Sequence, residues 1–153
     1  MAKLNNFSYT GYHRYFITLR CYRQASYFND GNLINKVSQI LKEIAKRRDF
    51  QVWVYCFMPD HLHLLIEGKS DNADTIKFIS VFKQRTAFEF RRLFNAKLWQ
   101  PGYYDRVLRR DESTSAVIRY ICENPVRKGL VSDYLKYPYL GSFELPDVSH
   151  LFI

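Results

Sequence analysis

Residues Gln51 to Ile66 read QVWVYCFMPDHLHLLI, two runs of β-branched and aromatic residues on either side of Pro59-Asp60. That composition suits two strands, and the Pro-Asp pair suits the turn of a hairpin between them. In the first run Val52, Val54 and Cys56 alternate with Trp53, Tyr55 and Phe57, so each trio is expected on its own face. In the second, His61 and His63 point one way while Leu62, Leu64 and Ile66 point into a core. Two imidazoles side by side on an accessible sheet face are half of a metal site. The same pattern also fits two hydrogen-bonded surface histidines, and the pair alone does not separate these.

Working outward, Arg14 to Arg20 (RYFITLR) has the composition of another strand. Asn29 and Asp30 offer caps to a helix from about Gly31 to Arg48, with an apolar stripe at Leu33, Val37, Ile40, Leu41 and Ile44. A second helix is expected from about Asp74 to Phe94, with cations at Lys77, Lys83, Arg85, Arg91 and Arg92 on an outer face. Pro101-Gly102 breaks the chain, and Tyr103 to Arg109 reads as a fourth strand. Asp111 to Ser115 cap a last helix that Pro125 ends near Asn124. Strand, helix, strand, strand, helix, strand, helix predicts an α+β, ferredoxin-like sandwich. In it a four-stranded antiparallel sheet carries two helices on one face, and the last helix lies near the other.

The chain has 153 residues, 47% of them hydrophobic and 17% aromatic, which predicts one folded domain over 1–153 with a short tail from about Ser142. A formal charge of +8 and a pI near 9.4 favour a polyanionic partner, and the aromatics favour nucleic acid. Cys21, Cys56 and Cys122 lack the paired spacing of zinc modules or disulfide frameworks and read as reduced, buried thiols. No apolar run is long enough to span a bilayer and no signal pattern precedes the first strand, so a cytoplasmic protein with no membrane partner is expected.

Tyr120 and Asn124 stand four residues apart and are expected on one face of the last helix, with Tyr120 at the edge of the stripe formed by Val117, Ile118 and Ile121. By themselves they read equally as a packing tyrosine and a helix terminator. Three blocks taken together resemble a known family: Met58-Pro59-Asp60-His61-Leu62-His63-Leu64-Leu65, then Leu98-Trp99-Gln100 with Tyr104-Asp105-Arg106, then Tyr120 to Val131 (YICENPVRKGLV). They are similar to the single-tyrosine transposases of the HUH superfamily. The likeness is greatest to the REP-associated branch of the IS200-like transposases, whose last block reads YIxxNPvRAGLV. Asp60 stands where that branch usually has Asn, Lys128 where Ala is common, and Tyr139-Leu140-Gly141-Ser142 where a WSS ending is typical.

The resemblance implies an enzyme that cuts and rejoins single-stranded or hairpin DNA by transesterification. Tyr120 would be the nucleophile, leaving a 5′-phosphotyrosine. A divalent ion, Mg2+ or Mn2+, would be held by His61, His63 and the side-chain oxygen of Asn124. Imidazole ligands suit manganese better than magnesium, and phenols ionise near pH 10 in water, so nearby cations are called for. Lys83, Arg85, Arg91, Arg92, Arg106, Arg109 and Arg110 are the candidate phosphate contacts, with Trp53, Tyr55 and Phe57 beside the histidines as candidate base-stacking residues. A homodimer is expected because excision and joining need two cuts. The tail is expected to pack back near the cleft. The alternatives left open are a non-catalytic single-stranded DNA- or RNA-binding module and a phosphodiesterase that uses metal-activated water.

Overall fold

The computed structural model describes residues 7–144. Along the chain lie β1 (Arg14–Arg20), α1 (Gly31–Arg47), β2 (Phe50–Met58), β3 (His61–Gly68), α2 (Thr75–Phe94), β4 (Tyr104–Val107), α3 (Thr114–Cys122), α4 (Asn124–Arg127) and β5 (Leu140–Gly141). The sheet is antiparallel throughout, in the order β4-β1-β3-β2-β5. It therefore has five strands rather than the expected four. The fifth is two residues long, too short to carry an alternating pattern, and pairs Gly141 and Leu140 with Tyr55 and Cys56.

Local chemistry accounts for the element ends. Asp30 accepts from the amides of Asn32 and Leu33 at the start of α1, and Asp74 accepts from the amide of Lys77 at the start of α2. Asn95, in the left-handed conformation at φ 51°, closes α2. Ser113 caps α3 through the amide of Ala116. This helix ends two residues before Asn124, in keeping with the expectation that Pro125 ends it near there. It stops at Cys122, and Asn124 opens a separate turn in which Pro125 occupies the first positions, where its missing N–H costs nothing.

The strands are buried on both faces. Tyr15, Ile17 and Leu19 of β1 and Leu62, Leu64 and Ile66 of β3 join one apolar cluster with Leu33, Val37 and Leu41 of α1 and Phe78, Ile79 and Phe82 of α2. Phe16, Val54, Cys56, Met58 and Leu65 join a second cluster with Val117, Ile118, Ile121 and Cys122 of α3. Each large side chain so buried contributes about 1.5–3 kcal/mol of transfer free energy. Tyr137 ties into the second layer by donating its hydroxyl to the Phe57 carbonyl at 2.6 Å.

The expected common face of Trp53, Tyr55 and Phe57 does not form. Val52 opposes Ile66 and Val54 opposes Leu65, leaving Trp53 as the extra residue of a β-bulge that reverses the parity of the strand. Past it, Tyr55 and Phe57 pack with the α1 and α2 cluster, whereas Val54, Cys56 and Met58 share the histidine face. Trp53 packs on the α3 side and donates Nε1 to Glu67 at 2.9 Å.

Cys21, Cys56 and Cys122 are buried free thiols, and burial raises the pKa of each. Among the described residues no helix is long and apolar enough to cross a membrane. Phe143 packs beside Tyr55, at 5.1 Å between ring centroids. Of the tail expected from Ser142 onward to pack back near the cleft, only Ser142 to Glu144 are described, and the rest lies outside the described residues.

Gly68 ends β3 against the Gly11 carbonyl, and a Cβ there would meet that oxygen and come within 3.0 Å of the Ala73 Cβ. Gly68→Ala is expected to lower unfolding stability by about 1–3 kcal/mol. Urea titration reads this as a lower midpoint at unchanged slope.

Candidate catalytic cleft

The register of the sheet builds the site. Thr18 of β1 and Cys56 of β2 stand opposite His63, and Arg20 and Met58 stand opposite His61. Both histidines are 8% exposed, and their Nε2 atoms converge to 3.1 Å. Each Nδ1 has its own partner: Asp60 Oδ1 at 2.6 Å for His61 and Thr18 Oγ1 at 2.9 Å for His63. A carboxylate can only accept, so His61 carries its proton on Nδ1 and presents a lone pair at Nε2. For His63 to present Nε2 in the same way, its Nδ1–H donates to the threonine hydroxyl.

Two ligands in neighbouring positions of an octahedron at about 2.1 Å from a metal stand about 3 Å apart. The imidazole pair fits that spacing. Burial depresses both imidazole pKa values. That of His63 falls to about 3, helped by His61, Arg20, Arg127 and Lys128, and that of His61 falls although Asp60 opposes the shift. Both rings are therefore neutral at pH 7, as metal ligation requires. Asn124 is 6% exposed and its Oδ1 is buried without a hydrogen bond. An orphaned carbonyl oxygen costs about 1–3 kcal/mol, which an ion would offset. Among the described residues no group of three or more His, Cys, Asp or Glu side chains that could hold a metal ion stands together.

Tyr120 is 52% exposed on α3, with its ring 6.0 Å from that of Phe16. Arg127 holds it twice. Its guanidinium stands 4.2 Å from the ring centroid, and its Nη2 donates to the Tyr120 carbonyl at 2.7 Å. Tyr120, His63, Thr18, Arg20, Tyr104 and Arg106 line one cleft of about 610 Å³. Tyr120 and Asn124, expected on one face of the last helix, fall in successive helical segments, Tyr120 exposed and Asn124 buried.

The expected phosphate contacts divide. Arg106 lines the cleft and donates to Glu112 at 2.6 Å. Arg109 is exposed 3.7 Å from Asp111, and Arg110 lines a separate polar cavity with His13 and Asp71. Lys83, Arg85, Arg91 and Arg92 lie on α2, which packs on the sheet face away from the histidines. Lys83 donates to the carbonyls of Gln100 and Gly102, Arg85 pairs with Glu43, Arg92 pairs with Glu89, and Arg91 is exposed. The reading from sequence missed Thr18, Arg20, Arg127, Lys128 and Glu112. Thr18 and Arg20 become visible only once the β1–β3 register is known. Arg127 and Lys128 sat inside a recognised block without a role.

A family model described as "Transposase IS200 like" matches residues 8–124. A candidate REP-associated tyrosine transposase of Haemophilus influenzae is 27% identical over 128 residues, 76% of this chain and 72% of the relative. The REP-associated tyrosine transposase of Escherichia coli is 25% identical over 143 residues, 84% and 79% of the two chains. The ISDra2 transposase TnpA of Deinococcus radiodurans is 29% identical over 101 residues, 61% and 71%. A solved REP-associated tyrosine transposase bound to a REP hairpin superposes with a TM-score of 0.75 at 17% identity, over 92% of this chain and 82% of the other, a likeness of fold. With that family pattern running from before β1 as far as Asn124, the chain belongs to the IS200-like transposase family.

Proposed function

We propose that this transposase cuts and rejoins single-stranded DNA through Tyr120, with a divalent ion, magnesium or manganese, held by His61, His63 and Asn124. The observation that carries the proposal is that an accessible tyrosine lines one cleft with Arg20, Arg106 and His63, whose Nε2 converges on that of the neighbouring His61. The hairpin bound by the solved relative supports a folded hairpin as substrate here. The chain would meet that DNA in the cytoplasm.

Tyr120 Oη attacks phosphorus and gives up its proton. The bond to the 3′ oxygen breaks, that oxygen leaves as a hydroxyl after protonation, and the 5′ phosphate stays on the tyrosine. Reversal with a different 3′-hydroxyl joins a new strand without an external energy source. The ion, when bound, supplies Lewis acidity to a phosphate oxygen. Arg127 fixes the tyrosine ring and backbone, so the nucleophile starts near its attack position. Arg20, Arg106 and Lys128 offset the charge of the incoming strand. Thr18 and Asp60 hold the imidazoles in the ligating tautomer. A homodimer would provide the two tyrosines that excision and joining need, and light scattering with hairpin DNA tests for it.

Incubation with a labelled single-stranded hairpin and manganese is expected to give a covalent protein–DNA band on a denaturing gel. Tyr120→Phe should abolish it, and His61→Ala should slow it about a hundredfold or more. Binding without cleavage would favour a binding module instead, and free product surviving in Tyr120→Phe would favour hydrolysis by water.

Thr18→Val keeps the β-branched shape but removes the hydroxyl that orients His63. It is expected to weaken manganese affinity about 10–100-fold in calorimetric titration. Unchanged affinity would remove the hydroxyl from the site.

A further inference from the structure

The cleft continues around the end of the sheet. Arg20 lines it, and the Arg20 carbonyl accepts from the amide of Gln100 at 3.0 Å. Gln100 in turn lines a second groove of about 450 Å³, a size typical of ligand sites, with Tyr22, Gln84, Arg91, Lys97 and Trp99. Tyr22 is two residues beyond Arg20, so its Cα is at most about 7 Å away. The amide of Cys21 donates to the carbonyl of Asp60, whose carboxylate orients His61. The two cavities thus share a backbone wall next to the histidines.

The half-buried Tyr22 ring has two cations near it: the Arg23 guanidinium at 5.2 Å and the Lys97 ammonium at 5.3 Å from its centroid. Among the described residues no carboxylate comes within ion-pair distance of Arg23 or Lys97, whereas Arg85, Arg92 and Arg106 are each paired. Arg23 and Gln24 also hold φ values of 55° and 58°, two consecutive left-handed residues without a glycine. Asp49 and Asn95, the other non-glycine cases among the described residues, are residue types that adopt this conformation readily. Arg23 and Gln24 have no such local advantage, and strain of this kind is retained where it sets a functional group in place.

We infer that the Tyr22 groove binds an unpaired base of a single DNA strand leaving the cleft, with Arg23 and Lys97 on the phosphates beside it. The inference rests on the proposed reading that the cleft takes single-stranded DNA. The aromatic face provides sequence-tolerant stacking, the two cations neutralise the backbone, and the strained turn keeps the exposed Arg23 guanidinium beside the ring. It also gives Arg91, on the far side of the sheet from the histidines, a phosphate to meet.

The test is anisotropy with fluorescein-labelled oligothymidylate of twenty nucleotides and a duplex of equal length, in the Tyr120→Phe background so that no covalent capture intervenes. Tyr22→Ala is expected to weaken oligothymidylate binding about tenfold with little effect on the duplex and no change in salt slope, while Tyr22→Phe retains affinity. Arg23→Gly is expected to raise Tm by relieving the turn, yet weaken binding and reduce the salt slope by about 0.7. Binding of Tyr22→Ala within twofold of its parent, equal losses on duplex and single strand, or no affinity of the parent for oligothymidylate would overturn the inference. A covalent band with a minimal hairpin reports Tyr120 chemistry separately, so the two readings fail independently.

Discussion

The pairing of β1 with β3 is the constraint on which the remaining structure depends. Both strands are central and carry apolar side chains on two faces, so their relative register decides which residues meet α1 and α2 and which meet α3. A slip of one residue would turn His61 and His63 into the larger apolar cluster and leave Leu62 and Leu64 in the cleft. The mismatch on both faces at once makes the register steep in energy. It also sets Thr18 opposite His63, so the pairing that fills the core orients the imidazole as well.

Much of this was legible from side-chain parity and capping chemistry. The histidine pair and its inward-facing leucines need only the two-residue period of a strand. The starts of α1 and α2 need only Asp30 and Asp74. What escaped depends on partners rather than on local pattern. The bulge at Trp53 is invisible to a strict alternation because both parities there are apolar, and only Leu65 and Ile66 across the ladder reveal the extra residue. β5 is defined by the edge of β2 and by Gly141 lying against the Tyr55 ring. The break at Glu123 was hidden because Pro125 can end one helix or begin another, and the sequence has both options within three residues.

The site was legible by residue type and less so by surroundings. His61, His63 and Tyr120 come to one end of the sheet, but the cations do not form the single basic face that helical spacing suggested. Most of those on α2 face carboxylates or carbonyls: Arg85 reaches α1, Arg92 pairs within α2, and Lys83 bonds the segment that follows the helix. Charge beside the histidines comes instead from Arg20 on β1 and from Arg127 and Lys128 after α3. Net charge therefore favours a class of partner without indicating where on the surface it would sit.

The chain has two tryptophans, and they lie in different layers. Trp53 packs with the α3 cluster and bonds Glu67, while Trp99 belongs to the α1 and α2 cluster and bonds Thr86. Each layer thus contains its own intrinsic fluorophore. Replacing either indole by phenylalanine leaves a one-colour optical probe, so movement of the tyrosine-bearing layer can be followed apart from that of the helical layer behind the sheet, with no dye attached.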